Sequence, residues 1–409
     1  MAGEWRDVAL EDVADELTVG YVGPMASEYV DNGVPFLRSL NVEPLRINKN
    51  DLKFITPEFH RRIQKSRLTP GDVVIVRTGK PGACCVVPEW LADANCSDLV
   101  IVRCGKQLSN RFLAYYVNTM ATGHVAAHLV GAVQQHFNVG SARTLRLRLP
   151  PLAEQNAIAA VLGALDDKIE LNRRMNAKLE EMARALFQCW FVDFDPVRAK
   201  MDGRETVGMD KETASLFPEY LEEMAFGPVP NGWGVQRLGE VVELAYGKPL
   251  KAEDRKHGCV CVYGANGAVG WHNEKLVSGP GIVIGRKGNP GVVTWSHGDF
   301  YPIDTTFYVE PIGKCRSLYF LYYVLLSQNL ANLSADSAVP GLNRNHAYMS
   351  KQVIPSQPVL SAFDSQIAPI FAAMHTNEEQ SRNLALVRDT LLPKLLSGEL
   401  TVPLRQSSR

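Results

Sequence analysis

The chain has 409 residues, 46% of them hydrophobic, and a formal net charge of −1. That length predicts two or three domains with ample core, and the balanced charge taken whole argues neither for nor against a nucleic-acid partner. No run of eighteen apolar residues exists, residues 1–10 lack the apolar stretch of an export signal, and the eight cysteines form no CxxC pair. The reading is therefore a cytoplasmic protein with reduced thiols, no membrane span and no zinc site.

Residues 1–149 read as one mixed domain of short strands, turns and helices. Trp5 opens an amphipathic piece with Val8, Leu10 and Val13, and turns follow at residues 20–24. Pro70-Gly71 precedes a strand at 72–76, a Gly/Pro loop follows at Gly79, Pro81 and Gly82, and 99–102 is a second apolar strand. Residues 111–120 carry Phe112, Leu113, Tyr116 and Val117 on one helical side. Between Arg38 and Lys80 ten Lys or Arg stand against four acids, a local excess that suits phosphate contact or simply a solvated face.

The next stretch, 150–191, is one long helix. Apolar residues recur at three-and-four spacing, and Pro150 and Pro151 lie just outside its start, where a missing N–H costs nothing. At a rise of about 1.5 Å per residue it makes a rod of roughly 60 Å, too long to hide inside one compact domain. Residues 192–230, rich in charge, Gly and Pro, read as a linker with one or two short helices around 213–225.

From residue 231 the plan repeats. At an offset of 209, residues 70–82 (PGDVVIVRTGKPG) lie on 279–291 (GPGIVIGRKGNPG), with identity at Val74, Ile75, Arg77, Gly79, Pro81 and Gly82. The same offset sets Ile158 on Ile367, Val161 on Ile370, Leu165 on Met374, Met175 on Leu384, Met182 on Leu391 and Leu186 on Leu395. With small gaps, residues 131–133 match 337–339. The chain is an internal duplication: a domain (1–149), a helix (150–191), a linker (192–230), a domain (231–356), a helix (357–400) and a tail (401–409). The two helices are expected to mate as an antiparallel coiled coil whose seam is those twelve residues and Leu179. Polar residues near the seam's middle (Lys168, Asn172, Asn377, Ser381, Arg388) either fix register or mark exposed turns. The fold class is α/β in the mixed α+β sense.

The segments PPLAEQNAIAAVLGALDDKIELNRRMN, FVDFDPVRAK, SAVPGLNRNH and LLPKLLSGEL, in this order, resemble those of specificity (S) subunits of type I restriction–modification enzymes. The resemblance implies two target-recognition domains, each reading half of a split double-stranded DNA sequence. It also implies that the helices act as spacer and as docking surface for two methyltransferase (M) subunits. Restriction (R) subunits would join through these. S-adenosylmethionine, ATP and Mg would belong to the partners, with no cofactor in this chain.

The duplicated loop is the first candidate for DNA contact: Arg77, Thr78 and Lys80 in one copy, Arg286, Lys287 and Asn289 in the other. Gly-flanked turns let a backbone approach phosphate, while Arg can bridge guanine acceptors and Asn can pair with adenine. The plain alternative is a tight turn with a solvated Arg. Arg38, Arg61, Arg62, Lys65, Lys248, Lys251 and Arg255 are second candidates, as phosphate contacts if exposed. Gln134 and Asn138, with Asn343 and Arg344, occupy matching polar clusters that either read base edges or end turns. No GxxxxGK[ST] loop, no GxGxxG after a strand and no amino-methyltransferase motif is present, so no catalytic residue is assigned. Asp193 and Asp195 are read as helix-end residues. The other readings are a self-contained DNA methyltransferase or nuclease, and a coiled-coil scaffold without DNA function.

Overall fold

A computed structural model describes residues 4–129, 136–225, 227–333 and 341–403. The chain divides into two compact units: residues 1–171 with 380–409, and residues 172–379. The division cuts both long helices, Leu152–Phe191 and Gln357–Ser397, instead of setting them apart as a spacer of their own. The first helix ends at the expected residue 191 and starts two residues after the expected 150, because Pro150 and Pro151 stay outside it. The second ends three residues before the expected 400, because Gly398 takes a left-handed φ of 78° and the Leu400 N–H returns to the Lys394 carbonyl.

In the first unit the main sheet is antiparallel, in the order Cys84–Val86, Val73–Val76, Leu99–Cys104, Ala14–Val19. Val73–Val76 and residues 99–102 in its central strands are fully buried, which accounts for their unbroken apolar runs. A second sheet holds five strands, with Val34–Leu37 parallel to Ala94–Cys96. Arg6–Ala9 pairs with Arg146–Leu149. The helix Asn110–Thr119 packs Phe112, Leu113 and Tyr116 into a core that also takes Ile158 and Leu162 from the first long helix and Leu392, Leu395 and Leu396 from the second.

The second unit rebuilds this plan. Its main sheet runs Val293–Ser296, Gly281–Gly285, Thr306–Pro311, Val242–Tyr246, strand for strand the same order. Gly234–Arg237 pairs with Lys351–Ile354, and Leu318–Ser327 takes the place of Asn110–Thr119. The second sheet is reduced to three strands but keeps its parallel pair, Val260–Gly264 with Phe300–Pro302. The duplication read at an offset of 209 is thus a duplication of topology. The match of 131–133 with 337–339 lies outside the described residues.

Two expectations need correction. Residues 192–230, expected to be a linker with one or two short helices around 213–225, hold more structure than that and pack into the core of the second unit. They form helices Asp195–Met201 and Lys211–Ser215 and a hairpin of Leu221–Met224 with Gly227–Pro230. Phe194, Val197, Phe217 and Val229 are buried there, and Phe217 stands edge-on to Trp190 at 5.0 Å. Composition misled because Gly and Pro in short, tightly turned elements look like those of a linker.

The seam on the first long helix is also shifted. Val161, Met175 and Met182 are exposed, at 38%, 43% and 59%. The row that faces inward with Ile158, Leu165, Asn172, Leu179 and Leu186 lies one residue later: Leu162, Ile169, Asn176, Ala183 and Trp190. Both rows complete a seven-residue pattern, so periodicity alone could not choose between them. On the second helix Ile367 and Leu395 are buried, and Ile370, Met374, Leu384 and Leu391 are half-buried. Phe371, Leu392 and Leu396 add to them.

Polar groups set the register within each unit. In the second, Asn172 Nδ2 donates to the Asn377 carbonyl (3.2 Å) and Asn176 Nδ2 to the Met374 carbonyl (3.0 Å). In the first, Arg388 Nη1 donates to Asp166 Oδ1 at 2.6 Å. Rising numbers on one helix meet falling numbers on the other, so the two helices run antiparallel. Among the described residues no helix is long and apolar enough to cross a membrane.

Candidate nucleic-acid interface

The duplicated loop has one backbone in both copies. Each leaves the central strand of a main sheet, and the Gly82 N–H returns to the Val76 carbonyl (3.0 Å) as the Gly291 N–H does to the Gly285 carbonyl (2.8 Å). Gly79, Gly82, Gly288 and Gly291 have φ of 83°, 90°, 84° and 84°, conformations that side chains resist. A Cβ on Gly291 would also meet the Ala331 backbone at 2.3 Å, so that position needs glycine twice over.

The duplicated loop and the matching polar clusters meet here. The Arg77 carbonyl accepts the Phe137 N–H at 2.9 Å, and the Arg286 carbonyl accepts the Leu342 N–H at 2.9 Å. Asn138 and Asn343 come next in the chain, and each caps a short helix. Asn138 Oδ1 accepts the Ser141 N–H (2.8 Å), and Asn343 Oδ1 accepts those of Asn345 (3.0 Å) and His346 (3.3 Å). Their side-chain oxygens are therefore committed to turn chemistry. Gln134 lies outside the described residues.

Side chains differ between the copies. Arg77 is half-buried, with Nη1 at 3.8 Å from Asp98 Oδ1, and Thr78 donates its hydroxyl to the same carboxylate. Arg286 lies over the Tyr246 ring, 5.0 Å from its centre, and donates Nη1 to the Asp304 carbonyl at 3.0 Å. Lys80, Lys287 and Asn289 are exposed. Arg344 pairs with Glu243 at 3.0 Å and also lies over Tyr246, at 5.2 Å.

The second candidates divide. Arg61, Arg62, Lys65, Lys248 and Lys251 are exposed, although Arg62 is drawn to Glu28 (3.2 Å) and Lys251 to Glu253 (3.8 Å). Arg38 and Arg255 are half-buried and fail the condition of exposure. Arg38 grips Asp51 at 2.8 Å and, with Lys53, holds that carboxyl down at about 2. Arg255 donates to the Val269 carbonyl at 2.6 Å. Both brace loops, as basic residues beside acids and carbonyls often do. Sequence reasoning missed Asp98, Tyr246 and Glu243, the residues that aim the arginines.

Asp193 and Asp195 fill the break between helices: Gln188 donates to Asp193 Oδ1 (3.0 Å), and Asp195 opens the next helix. Among the described residues one group has ligand atoms close enough for a metal: His297, His375 and Glu378, in the second unit. The two imidazoles lie stacked at 19°, and a single ion cannot lie in the plane of both.

Comparison with known proteins decides the family. The model described as "Type I restriction modification DNA specificity domain" matches residues 3–181 and 230–379. The chain belongs to this family. Among similar proteins, the type I restriction enzyme HindI specificity subunit of Haemophilus influenzae is 28% identical over 326 residues, 64% of this chain and 70% of that one. The MjaIX specificity subunit of Methanocaldococcus jannaschii is 26% identical over 286 residues, covering 64% and 62%. A crystal structure of the type I restriction–modification S subunit from M. genitalium matches with a TM-score of 0.55 at 17% identity, over 96% of each chain, which establishes likeness of fold. The family points to a specificity subunit without catalysis of its own.

Proposed function

We propose that this specificity subunit reads a bipartite DNA target, one half with residues 1–149 and the other with residues 231–356. The observation that carries the reading is the loop built twice on one backbone, with an arginine at the same place in each copy. Two similar modules meet a duplex as the halves of a dimer do, and half-sites one turn apart are about 34 Å from each other. The long helices serve as spacer and dock two methyltransferase subunits, through which restriction subunits join. Met175 and Met182, apolar and exposed on the first helix, are offered to such a partner. S-adenosylmethionine, ATP and Mg act in those partners.

The test is reconstitution. The isolated chain should neither methylate nor cleave DNA, and should do so once modification and restriction subunits are supplied. Mapping of methylated sites should then show Arg77→Ala relaxing one half-site and Arg286→Ala the other. Both halves relaxing together in either variant would defeat the modular reading. Binding of S-adenosylmethionine by the isolated chain would instead favour a self-contained methyltransferase.

A further inference from the structure

The sheets allow the two loops to be compared atom by atom. In the first unit Ile75 pairs with Val100, which pairs with Val19; in the second Ile284 pairs with Phe307, which pairs with Tyr246. Tyr246 therefore stands where the first unit has Val19, and Phe307 where it has Val100. The Arg77 N–H meets the Asp98 carbonyl and the Arg286 N–H meets the Thr305 carbonyl, so Thr305 stands where the first unit has Asp98. The acid is missing from one copy and the aromatic pair from the other.

We infer that the equivalent arginines are presented to DNA by different chemistry, and that Tyr246 is the positioning residue for Arg286 and Arg344 in the second recognition unit. Asp98 holds Arg77 by its edge. The same carboxylate also takes the hydroxyls of Thr78 and Ser39, the latter at 2.8 Å, so the acid is fixed and Arg77 is partly neutralised. Tyr246 holds Arg286 by its face, with Phe307 at 5.8 Å from the same guanidinium. Stacking leaves the in-plane N–H groups available, apart from the one given to Asp304, and leaves the charge whole. Arg344 shares the ring, and Glu243 offsets the repulsion between the two cations. The second unit accordingly carries the more salt-dependent grip.

This rests on the proposed function, and the experiment separates the two. Complexes reconstituted with modification subunits are compared by methylation mapping and by binding to a target duplex across a salt series. Tyr246→Phe keeps the face and should behave as the parent. Tyr246→Leu should weaken target binding five- to tenfold and relax the half-site that Arg286→Ala relaxes, leaving the other intact. Asp98→Asn should touch only the other half. Tyr246→Leu behaving like Tyr246→Phe, or altering both halves alike, overturns the inference. Should Tyr246→Leu fail to assemble, Thr305→Asp decides: by giving the second loop its own acid, it should lower the salt slope by about one, and an unchanged slope overturns the inference. An Arg286→Ala complex with an unaltered target sinks the reading of the loop itself.

Discussion

Replacing Arg388 with Met tests what joins the helix Asn110–Thr119 to the two long helices. Asp166, on the first long helix, accepts Arg388 Nη1 of the second helix at 2.6 Å and the Tyr115 hydroxyl of the module's own helix at 2.5 Å. Burial, reinforced by Asp166, pushes the Tyr115 phenol up, so it stays a donor wherever the fold survives. The Arg388 and Asp166 side chains are each 22% exposed, between the surface and interior cases. Exposed pairs contribute up to about 1 kcal/mol, and breaking a buried one costs about 3–5, so Arg388→Met should cost about 2 kcal/mol. With a urea slope of about 2–3 kcal/mol/M, the midpoint should fall by roughly 0.8 M. Hydrogen exchange should localise the loss to residues 4–171 and 380–403, with 172–379 keeping their protection. In a double-mutant cycle with Asp166→Asn, a coupling of about 1 kcal/mol is expected. Equal loss of protection in both units, or a coupling near zero, would refute the reasoning.

Other outcomes are expected from the same coordinates. Trp190→Ala empties a fully buried position against Phe217 and Phe363 and should cost about 3–5 kcal/mol, read as lost protection in residues 172–379. Met175→Asp and Met182→Asp should change stability by no more than about 0.5 kcal/mol, yet hinder assembly with methyltransferase subunits on gel filtration. Leu162→Asp, at a position with no exposure, should unfold the first unit instead. A thiol reagent at neutral pH should label exposed Cys259 in the native chain, while burial shields Cys84, Cys85 and Cys96 and pushes their thiols up; these should react only after unfolding.

Much of this architecture was legible in the residues alone. The 40-residue helix could be bounded because Pro150 and Pro151 stop it on one side and nothing inside it breaks the pattern. The repeat was legible because glycines demanded by a left-handed turn stay where they are, as Gly79, Gly82, Gly288 and Gly291 do. Local pattern could not tell which apolar row of that helix faces inward. Val161 and Leu162 are equally apolar, and the choice belongs to Phe112, Leu392 and other residues remote in sequence. The same holds for the candidate interface. Arg77 and Arg286 can be found by their repetition, but Asp98 and Tyr246, remote from them in sequence, reach them only through strand pairing. The packing of residues 192–230 was not legible because Phe217 and Val229 reach Trp190, Phe191 and Trp233 only through the fold, with no periodic apolar pattern to announce it.

The partition of the helices has a consequence for synthesis. Residues 172–379 form a continuous span that is translated ahead of residues 380–403. The later span supplies Leu392, Leu395 and Leu396 to the core around Leu10 and Phe112, and its Ser397 carbonyl receives Arg148. The module translated first is therefore completed last. Until then it leaves a greasy flank uncovered for the time its neighbour takes to be made, and premature termination near residue 380 would damage the beginning of the protein more than its middle.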